Sequence, residues 1–548
     1  MVPASKKFLG DGFVVENCII KGHDKYYDIK ENNLGELIFN ALSETPEHIG
    51  QIVALTSKKK TFAQLKEQSI RLATWLRKEA IDSKDVVALC SRRHPHTEVI
   101  FCAISLIGAI YTPFVHNVDI VTARHCIKTA QPKLVFAHKN IICTLQEAAA
   151  LENHTLKIVV IDSDKDNDYI TLNTIVSTPS SAESDDFQIT TVKSEDTCVI
   201  VHTSGTTGIP KFIPLSHKQF IQQALQFDIS GNSEKQNRIV LTYFYPGWLV
   251  QTLFSIRSIL VRQTLIFHED FEPHETCKII EKYKINTLAW DVYMIALLAE
   301  SDVMDKYDLN SVTRIHSIGS KLFDQVRGKM IKMFPNVQTI GRGLGILETG
   351  LLTLFTENCR NPKSEGVVVP NVQLKVIETT RGEALGPNKV GELCAKSPCM
   401  FTGYYKDPQA TKAAFDDDGW FHTGDEAYYD ENGELIVVGR LKEVIKYREM
   451  ELQPLLIEQI FLSHPNIVDA AVVGIFHEIN IEQPVAFVKS TNGSSLTEQD
   501  VLEFTSDLQY TDIFRGWVIF THEIPRNANG KINRRALRER AQIFYQSH

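Results

Sequence analysis

The sequence predicts an α/β protein with a large N-terminal lobe of mixed and parallel sheets carrying helices, a β-barrel-like portion, and a small α+β C-terminal domain. Three observations predict it. Short apolar runs alternate with helical patterns through the first two-thirds of the chain, as in parallel sheets covered by helices. Glycines and short strand candidates then increase from Gly366 to Gly439, which marks an antiparallel or barrel-like portion. The pattern restarts near Gly439-Arg440-Leu441-Lys442, with enough chain left for a small domain. The predicted units are residues 1–439 and 440–548.

In chain order, Thr61-Phe62-Ala63-Gln64 reads as a capping box, and Leu65, Ser69, Leu72, Ala73 and Leu76 continue on one helical face. Strand candidates follow at Val86–Leu89, Lys133–Ala137 and Ile158–Ile161. Val99 to Val115 carries no charge over 17 residues, but Gly108, Thr112 and Pro113 interrupt it. A buried helix followed by a core strand accounts for it better than a membrane span. Asp164 to Asp196 is polar and reads as loops. Strands are expected again at Ile239–Thr242, Thr264–Phe267, Thr287–Trp290 and Arg314–Ile318, with helices at Glu275–Lys284 and Leu322–Met333. In the last unit a helix begins at Pro454. Strands follow at Ile467–Val473 and Val485–Val488, then a helix at Glu498–Asp507 and a strand at Trp517–Thr521.

Composition narrows the function. A chain of 548 residues with 43% apolar and 23% charged residues is an ordinary globular protein with a large core; length alone allows roughly three to five domain-sized units. A net charge of −9 argues against a general nucleic-acid or anionic-membrane surface. Lys58-Lys59-Lys60 reads as a solvated turn. The 10 cysteines are scattered without a C-x-x-C pair, which points to thiols in a reducing compartment rather than a disulfide framework or zinc site. Met1 to Gly10 has no apolar signal core, and Gln546-Ser547-His548 is not an S-K-L peroxisomal address.

One stretch organises the chemistry: Thr203-Ser204-Gly205-Thr206-Thr207-Gly208-Ile209-Pro210-Lys211. A strand-like run, Cys198–Val201, enters it, and Ser216-His217-Lys218-Gln219 opens a helix after it. Gly205 and Gly208 let backbone N–H groups face inward as a nest for phosphate oxygens. The four hydroxyls add donors and Lys211 adds positive charge. A flexible polar surface loop is the alternative. The spacing is not that of a P-loop, since no Ser or Thr follows Lys211.

Three later stretches join this loop: Gly419-Trp420-Phe421-His422-Thr423-Gly424-Asp425, Gly439-Arg440-Leu441-Lys442, and Pro525-Arg526-Asn527-Ala528-Asn529-Gly530-Lys531. In this order and spacing they resemble the adenylate-forming superfamily of acyl-CoA synthetases, coumarate-CoA ligases and beetle luciferases. Gly403-Tyr404-Tyr405 and Leu462–Ile467 make the resemblance closest to insect luciferase-like acyl-CoA synthetases. The resemblance implies ATP, Mg²⁺ and CoA acting with a small carboxylic acid, fatty or otherwise apolar. The acid attacks the α-phosphate of ATP to give an acyl-adenylate, and a thiol then takes the acyl group.

The same resemblance implies the roles. Thr203, Ser204, Gly205, Thr206, Thr207, Gly208 and Lys211 hold phosphates, Glu348 binds Mg²⁺, and Asp425 and Arg440 reach the ribose. Lys531 bridges acid and ATP in the first step. Lys442 is the hinge of a mobile small domain, and Lys446 serves the second step. Gly319 and Leu344 fall at nucleotide positions, and Trp248, Gly345 and Glu449 at acyl and pantetheine positions. Peroxisomal location is the family analogy. Taken singly, Asp425 could shape a turn, Arg440 could pair with a surface carboxylate, and Lys531 could decorate an Asn-Gly turn.

The chain also departs from the family. Where Gly-Tyr-Gly-x-Thr-Glu is usual it has Gly343-Leu344-Gly345-Ile346-Leu347-Glu348, so the stacking aromatic and the α-phosphate hydroxyl are both leucines. Tyr245-Pro246-Gly247-Trp248 stands where luciferase-like members carry a histidine pair, and Glu449-Met450 replaces a glycine–aromatic pair. The leading expectation is an ATP-dependent acid:CoA ligase. The alternatives are a nucleotide- or acyl-binding member that has lost turnover and, behind it, a luciferase-type monooxygenase.

Overall fold

The uncharged stretch Val99–Val115 becomes a buried helix, Thr97–Leu106, and a core strand, Ile110–Phe114, and the large lobe is built round them. Every residue of the helix except Glu98 is buried. Each large apolar side chain there is worth about 1.5–3 kcal/mol of transfer free energy. Glu98 is satisfied by Gln51 Nε2 (3.0 Å) and Ser255 Oγ (3.1 Å), which donate to it. The helix Phe62–Lys78 packs beside it and starts with the expected capping box: Thr61 accepts from the Gln64 N–H, and Gln64 accepts from that of Thr61.

This computed structural model describes the chain except residues 1–5, 8–11, 27–30, 32, 165, 167, 178–185, 204–209, 227–237, 304–305, 320–321, 323, 357, 448–449, 478–480, 492, 505–510, 528–529 and 548. Two seven-stranded sheets form the α/β part. The first runs in the order Ile170–Thr171, Lys157–Val160, Leu134–Ala137, Val86–Cys90, Ile110–Phe114, Thr197–His202 and Phe212–Ser216. All its pairs are parallel except the last. The second runs Thr339–Gly341, Arg314–Ile318, Thr287–Asp291, Ile239–Thr242, Thr264–Phe267, Ile49–Val53 and Lys59–Thr61, again with one antiparallel edge. Buried on both faces, these strands are the near-continuous apolar runs of the sequence.

The glycine-rich portion is a third seven-stranded sheet, antiparallel throughout. It pairs the meander Gln373–Ile377, Gly391–Lys396, Phe421–Tyr429 and Leu435–Arg440 with three short N-terminal strands, Lys6–Lys7, Phe13–Glu16 and Ile19–Gly22. That sheet ends at Arg440. A separate sheet begins at Ile445 and contains Met450–Leu452, Ile445–Tyr447, Ile481–Ser490 and Ile467–His477, with Val518–Phe520 parallel to Ile481–Ser490. Helices Pro454–Leu462 and Arg534–Ser547 pack on it. The helix expected at 498–507 is described as Glu498–Phe504.

Two expectations change. The polar stretch 164–196 contains a strand, Ile170–Thr171, and a helix, Leu172–Ser177. Leu172, Ile175 and Val176 stand at i, i+3 and i+4 and are buried, enough apolar surface to order a short helix in a polar context. The basic run is not wholly solvated either. Lys60 lies on an edge strand and its Nζ donates to the Pro95 carbonyl (2.9 Å), and burial lowers its ammonium to about 8. Among the described residues, no helix is long and apolar enough to cross a membrane.

Candidate active site

The strand Phe421–Tyr429 alternates buried and half-buried positions, so its odd-numbered residues face the interior. Asp425 is one of these, buried and directly opposite Arg440 on the neighbouring strand. Register shifts flank the pair, between Glu426 and Ala427 on one side and between Glu392 and Cys394 on the other. Such bulges re-aim side chains at sheet edges and near sites. Arg440 Nε donates to Asp425 Oδ1 (2.7 Å), and its Nη1 donates to the Thr423 carbonyl (3.2 Å). Thr423 Oγ1 accepts the Asp425 N–H (3.0 Å).

The other oxygen, Asp425 Oδ2, is buried with no hydrogen-bond partner. An unpaired buried carboxylate oxygen is costly. Burial pushes the Asp425 carboxyl up to about 6, against the lowering influence of Arg440 and then Lys531.

Lys531 comes from the small lobe into the same place. Its hairpin is closed by Asn527 N–H to the Lys531 carbonyl (2.8 Å) and Gly530 N–H to the Asn527 carbonyl (3.0 Å). The residue is exposed by surface area, yet the lobes around it desolvate its ammonium and lower its pKa. Arg440 adds to that lowering, while Asp425, Glu348 and Glu443 oppose it. The side chain as a whole meets solvent while protein crowds its charged end.

Glu348 is buried and accepts a hydrogen bond from Tyr404 Oη (3.0 Å). Burial first, then the Glu348 charge, raises the Tyr404 phenol and keeps it a donor. Lys211 Nζ lies 4.5 Å from the centroid of the same ring. Lys211 also closes the foot of the hydroxyl-rich loop: Thr203 N–H donates to its carbonyl (2.8 Å), and its own N–H donates to Thr203 Oγ1 (3.2 Å). Ser204, Gly205, Thr206, Thr207 and Gly208 lie outside the described residues, as does Glu449. The helix behind the loop begins with the expected capping box between Ser216 and Gln219.

A second group forms an apolar wall. Trp248 packs edge-on against Phe244 (centroids 5.2 Å apart), in a cluster with Phe254, Val250, Ala289 and Ile318. Gly319 completes it, for a Cβ there would stand 3.0 Å from the Trp248 ring. Leu344 packs against the antiparallel-sheet core, and Leu347 against the central core. Gly345 is exposed on a two-stranded turn with Gly350–Leu351.

The structure therefore brings Lys531, Asp425, Arg440 and Glu348 together, with Lys211 joined through Tyr404. It sets Trp248 and Gly319 side by side. Lys446 does not join them: it is exposed on Ile445–Tyr447, where its N–H donates to Glu482 Oε2 (2.7 Å). Lys442 lies on an exposed 3-10 turn, Leu441–Glu443, between the two sheets. Sequence reasoning passed over the role of Tyr404, although Gly403-Tyr404-Tyr405 was visible as a motif. It also found no imidazole in Tyr245–Trp248, whereas His116, from another segment, stacks on Tyr245 with centroids 4.7 Å apart.

A buried carboxylate paired with a half-exposed guanidinium, and a lysine brought beside them from the small lobe, form one polar group where the two lobes meet. The sequence model of the family "AMP-binding enzyme" matches residues 41–405, and that of the "AMP-binding enzyme C-terminal domain" matches residues 456–531. The chain belongs to this adenylate-forming family. It is similar to 4-coumarate–CoA ligase 1 of Petroselinum crispum, 31% identical over 92% of this chain and 93% of that one. It is 30% identical to luciferin 4-monooxygenase of Nipponoluciola cruciata, over 96% and 97% of the two chains. Among solved structures, the luciferase-like enzyme of the nonluminescent mealworm Zophobas morio is 28% identical with a TM-score of 0.72, covering 78% of this chain and all (100%) of that one. ATP-bound MatB of Rhodopseudomonas palustris shares the fold at 23% identity, with a TM-score of 0.84 over 94% of this chain and 100% of its own.

Proposed function

We propose that this protein is an AMP-forming acid:CoA ligase for an apolar, fatty-type carboxylic acid, with residues 1–439 holding ATP and acid and residues 440–548 carrying the mobile lysine. The observation that carries this is the Lys531 ammonium beside the Asp425–Arg440 pair and Glu348. In the first step a carboxylate oxygen attacks the α-phosphorus and pyrophosphate leaves, so two anions must approach each other. One ammonium about 4 Å from the developing charge is worth roughly 4 kcal/mol at intermediate screening, about a thousandfold in rate. Asp425 Oδ2 would accept the ribose hydroxyls, Arg440 would hold that carboxylate in place, and Lys211 with the hydroxyl-rich loop would face the outer phosphates.

Mg²⁺ is held by one or two carboxylates together with substrate phosphates and water. Glu348, a single carboxylate oriented by Tyr404, fits that donor set. The metal would neutralise triphosphate charge. Gly319, Trp248 and the phenylalanines behind it support an apolar acyl end. Release of Lys531 at the Lys442 turn would open the cleft for CoA.

The test is acid-dependent exchange of labelled pyrophosphate into ATP over short, medium, long and aromatic acids, repeated with CoA to score thioester. Exchange with one acid class is expected; none from folded protein with any acid rejects the proposal. A second reading, an impaired nucleotide- or acyl-binding member, is favoured by Leu347, which packs as an apolar side chain where the family hydroxyl falls. If that hydroxyl limits the first step, Leu347→Thr raises exchange about tenfold, the value of one regained hydrogen bond to a charged group. A rise from nothing to measurable exchange would favour the impaired reading.

A further inference from the structure

The hairpin that carries Lys531 meets the large lobe at the first turn of the helix Val292–Glu300, a contact with no part in the chemistry proposed above. Asp291 caps that helix, accepting from the Met294 N–H (2.9 Å), and is itself buried. Gly530 lies against it: a Cβ on Gly530 would stand 3.6 Å from the Asp291 carboxyl carbon, and the residue has φ +72°. The left-handed backbone favours glycine there, and the chain lies in van der Waals reach of the carboxyl group.

Two residues on, Tyr293 is 36% exposed and lies under the Arg526 guanidinium, 4.9 Å from its ring centroid. Arg526 is tied to its own lobe as well. Nη1 donates to the Gly530 carbonyl (2.9 Å) and Nη2 to Asp469 Oδ2 (2.6 Å). The guanidinium thus grips the residue before Lys531 with one edge while its face rests on the other lobe.

We infer that Tyr293 and Asp291 on the large lobe, with Arg526 and Gly530 on the small one, form an interlobe clasp that positions Lys531 for the first half-reaction. This rests on the adenylation proposed above. The clasp is built from a cation over an aromatic face and a glycine backbone against a buried carboxylate. No step proposed above runs through these four residues, so they are positioning residues. Loss of the clasp lets Lys531 leave the cleft. The first half-reaction needs Lys531 in place, and the second proceeds with it withdrawn, so only the first slows.

The test compares the wild type, Tyr293→Phe and Tyr293→Ala. Tyr293 touches the small lobe through its ring, which phenylalanine keeps. In Tyr293→Ala, pyrophosphate exchange falls about fivefold, the size of one partly buried cation–π contact. Thioester formation from supplied acyl-adenylate and CoA stays at the wild-type rate, and Tyr293→Phe retains both. In substrate-free protein, trypsin cuts after Lys442, exposed on the turn Leu441–Glu443, faster in Tyr293→Ala than in the wild type or Tyr293→Phe. Unchanged exchange in Tyr293→Ala, or an equal fall in both half-reactions, overturns the clasp. Absence of exchange in the wild type rejects the ligase reading instead. The trypsin comparison then decides alone, and equal cutting in all three proteins overturns the clasp.

Discussion

The Lys531 ammonium faces three carboxylates, those of Asp425, Glu348 and Glu443, and one guanidinium, that of Arg440. It is exposed and packs little, so Lys531→Ala is expected to lower pyrophosphate exchange about a thousandfold. The melting temperature, read by calorimetry, should stay within a degree or so, as for a surface substitution. A large drop in melting temperature would mean the residue holds the lobes together instead. Asp425 gives a pH prediction. Burial raises its carboxyl from 3.8 to about 6, so the folded state holds this proton more tightly than the unfolded chain. Its stabilising contribution is full below about 4 and is lost as pH rises through about 6. Ligand binding runs the other way, since only the carboxylate offers both oxygens to ribose. ATP affinity measured by titration calorimetry should rise through about pH 6, and Asp425→Asn should remove that step.

At the scale of elements, the strand pair Phe421–Tyr429 and Leu435–Arg440 delivers Asp425 and Arg440 together because they are direct cross-strand partners. In the small lobe, the last helix is anchored by Arg534. It makes a two-pronged pair with buried Glu458 (2.6 and 3.1 Å), donates to the Val472 carbonyl (2.9 Å), and donates to Glu443 (2.9 Å) in the turn Leu441–Glu443. Removing one partner of a buried pair strands the other charge. Arg534→Ala is therefore expected to cost about 3–5 kcal/mol, seen as an earlier small-lobe transition in denaturant unfolding of the whole chain. An unshifted transition would show that water reaches Glu458. Much at this scale was legible beforehand. Capping boxes at Thr61 and Ser216 and the apolar runs at Ile239–Thr242, Thr264–Phe267 and Arg314–Ile318 act between neighbours in the chain. The three N-terminal strands were not legible, because they join a sheet whose other strands begin at Gln373.

At the scale of the whole molecule, two lobes meet with the lysine hairpin docked, and one short turn, Leu441–Glu443, joins their sheets. Proline suits the first turn of a helix but restricts its own φ and the residue before it. Lys442→Pro is expected to keep pyrophosphate exchange while slowing thioester formation tenfold or more, because the turn can no longer swing. Single-turnover assays of each half-reaction check this, and equal effects on both would show that the pivot lies elsewhere.

The sequence by itself determined many of the core strands and capped helices, and the kinds of chemical group available: a lysine on an Asn-Gly turn, an aspartate on an alternating strand, an arginine before a break. Periodicity, caps and turn residues carry that information because their energies are settled within a few residues. Only the tertiary structure decided which groups meet. Tyr404 reaches Glu348 from 56 positions away, His116 comes to Tyr245, and Arg526 settles over Tyr293, because long-range burial selects those partners. Desolvation of the same kind pushes the Asp425 carboxyl up and the Lys531 ammonium down, and it exists only once the lobes have closed on them.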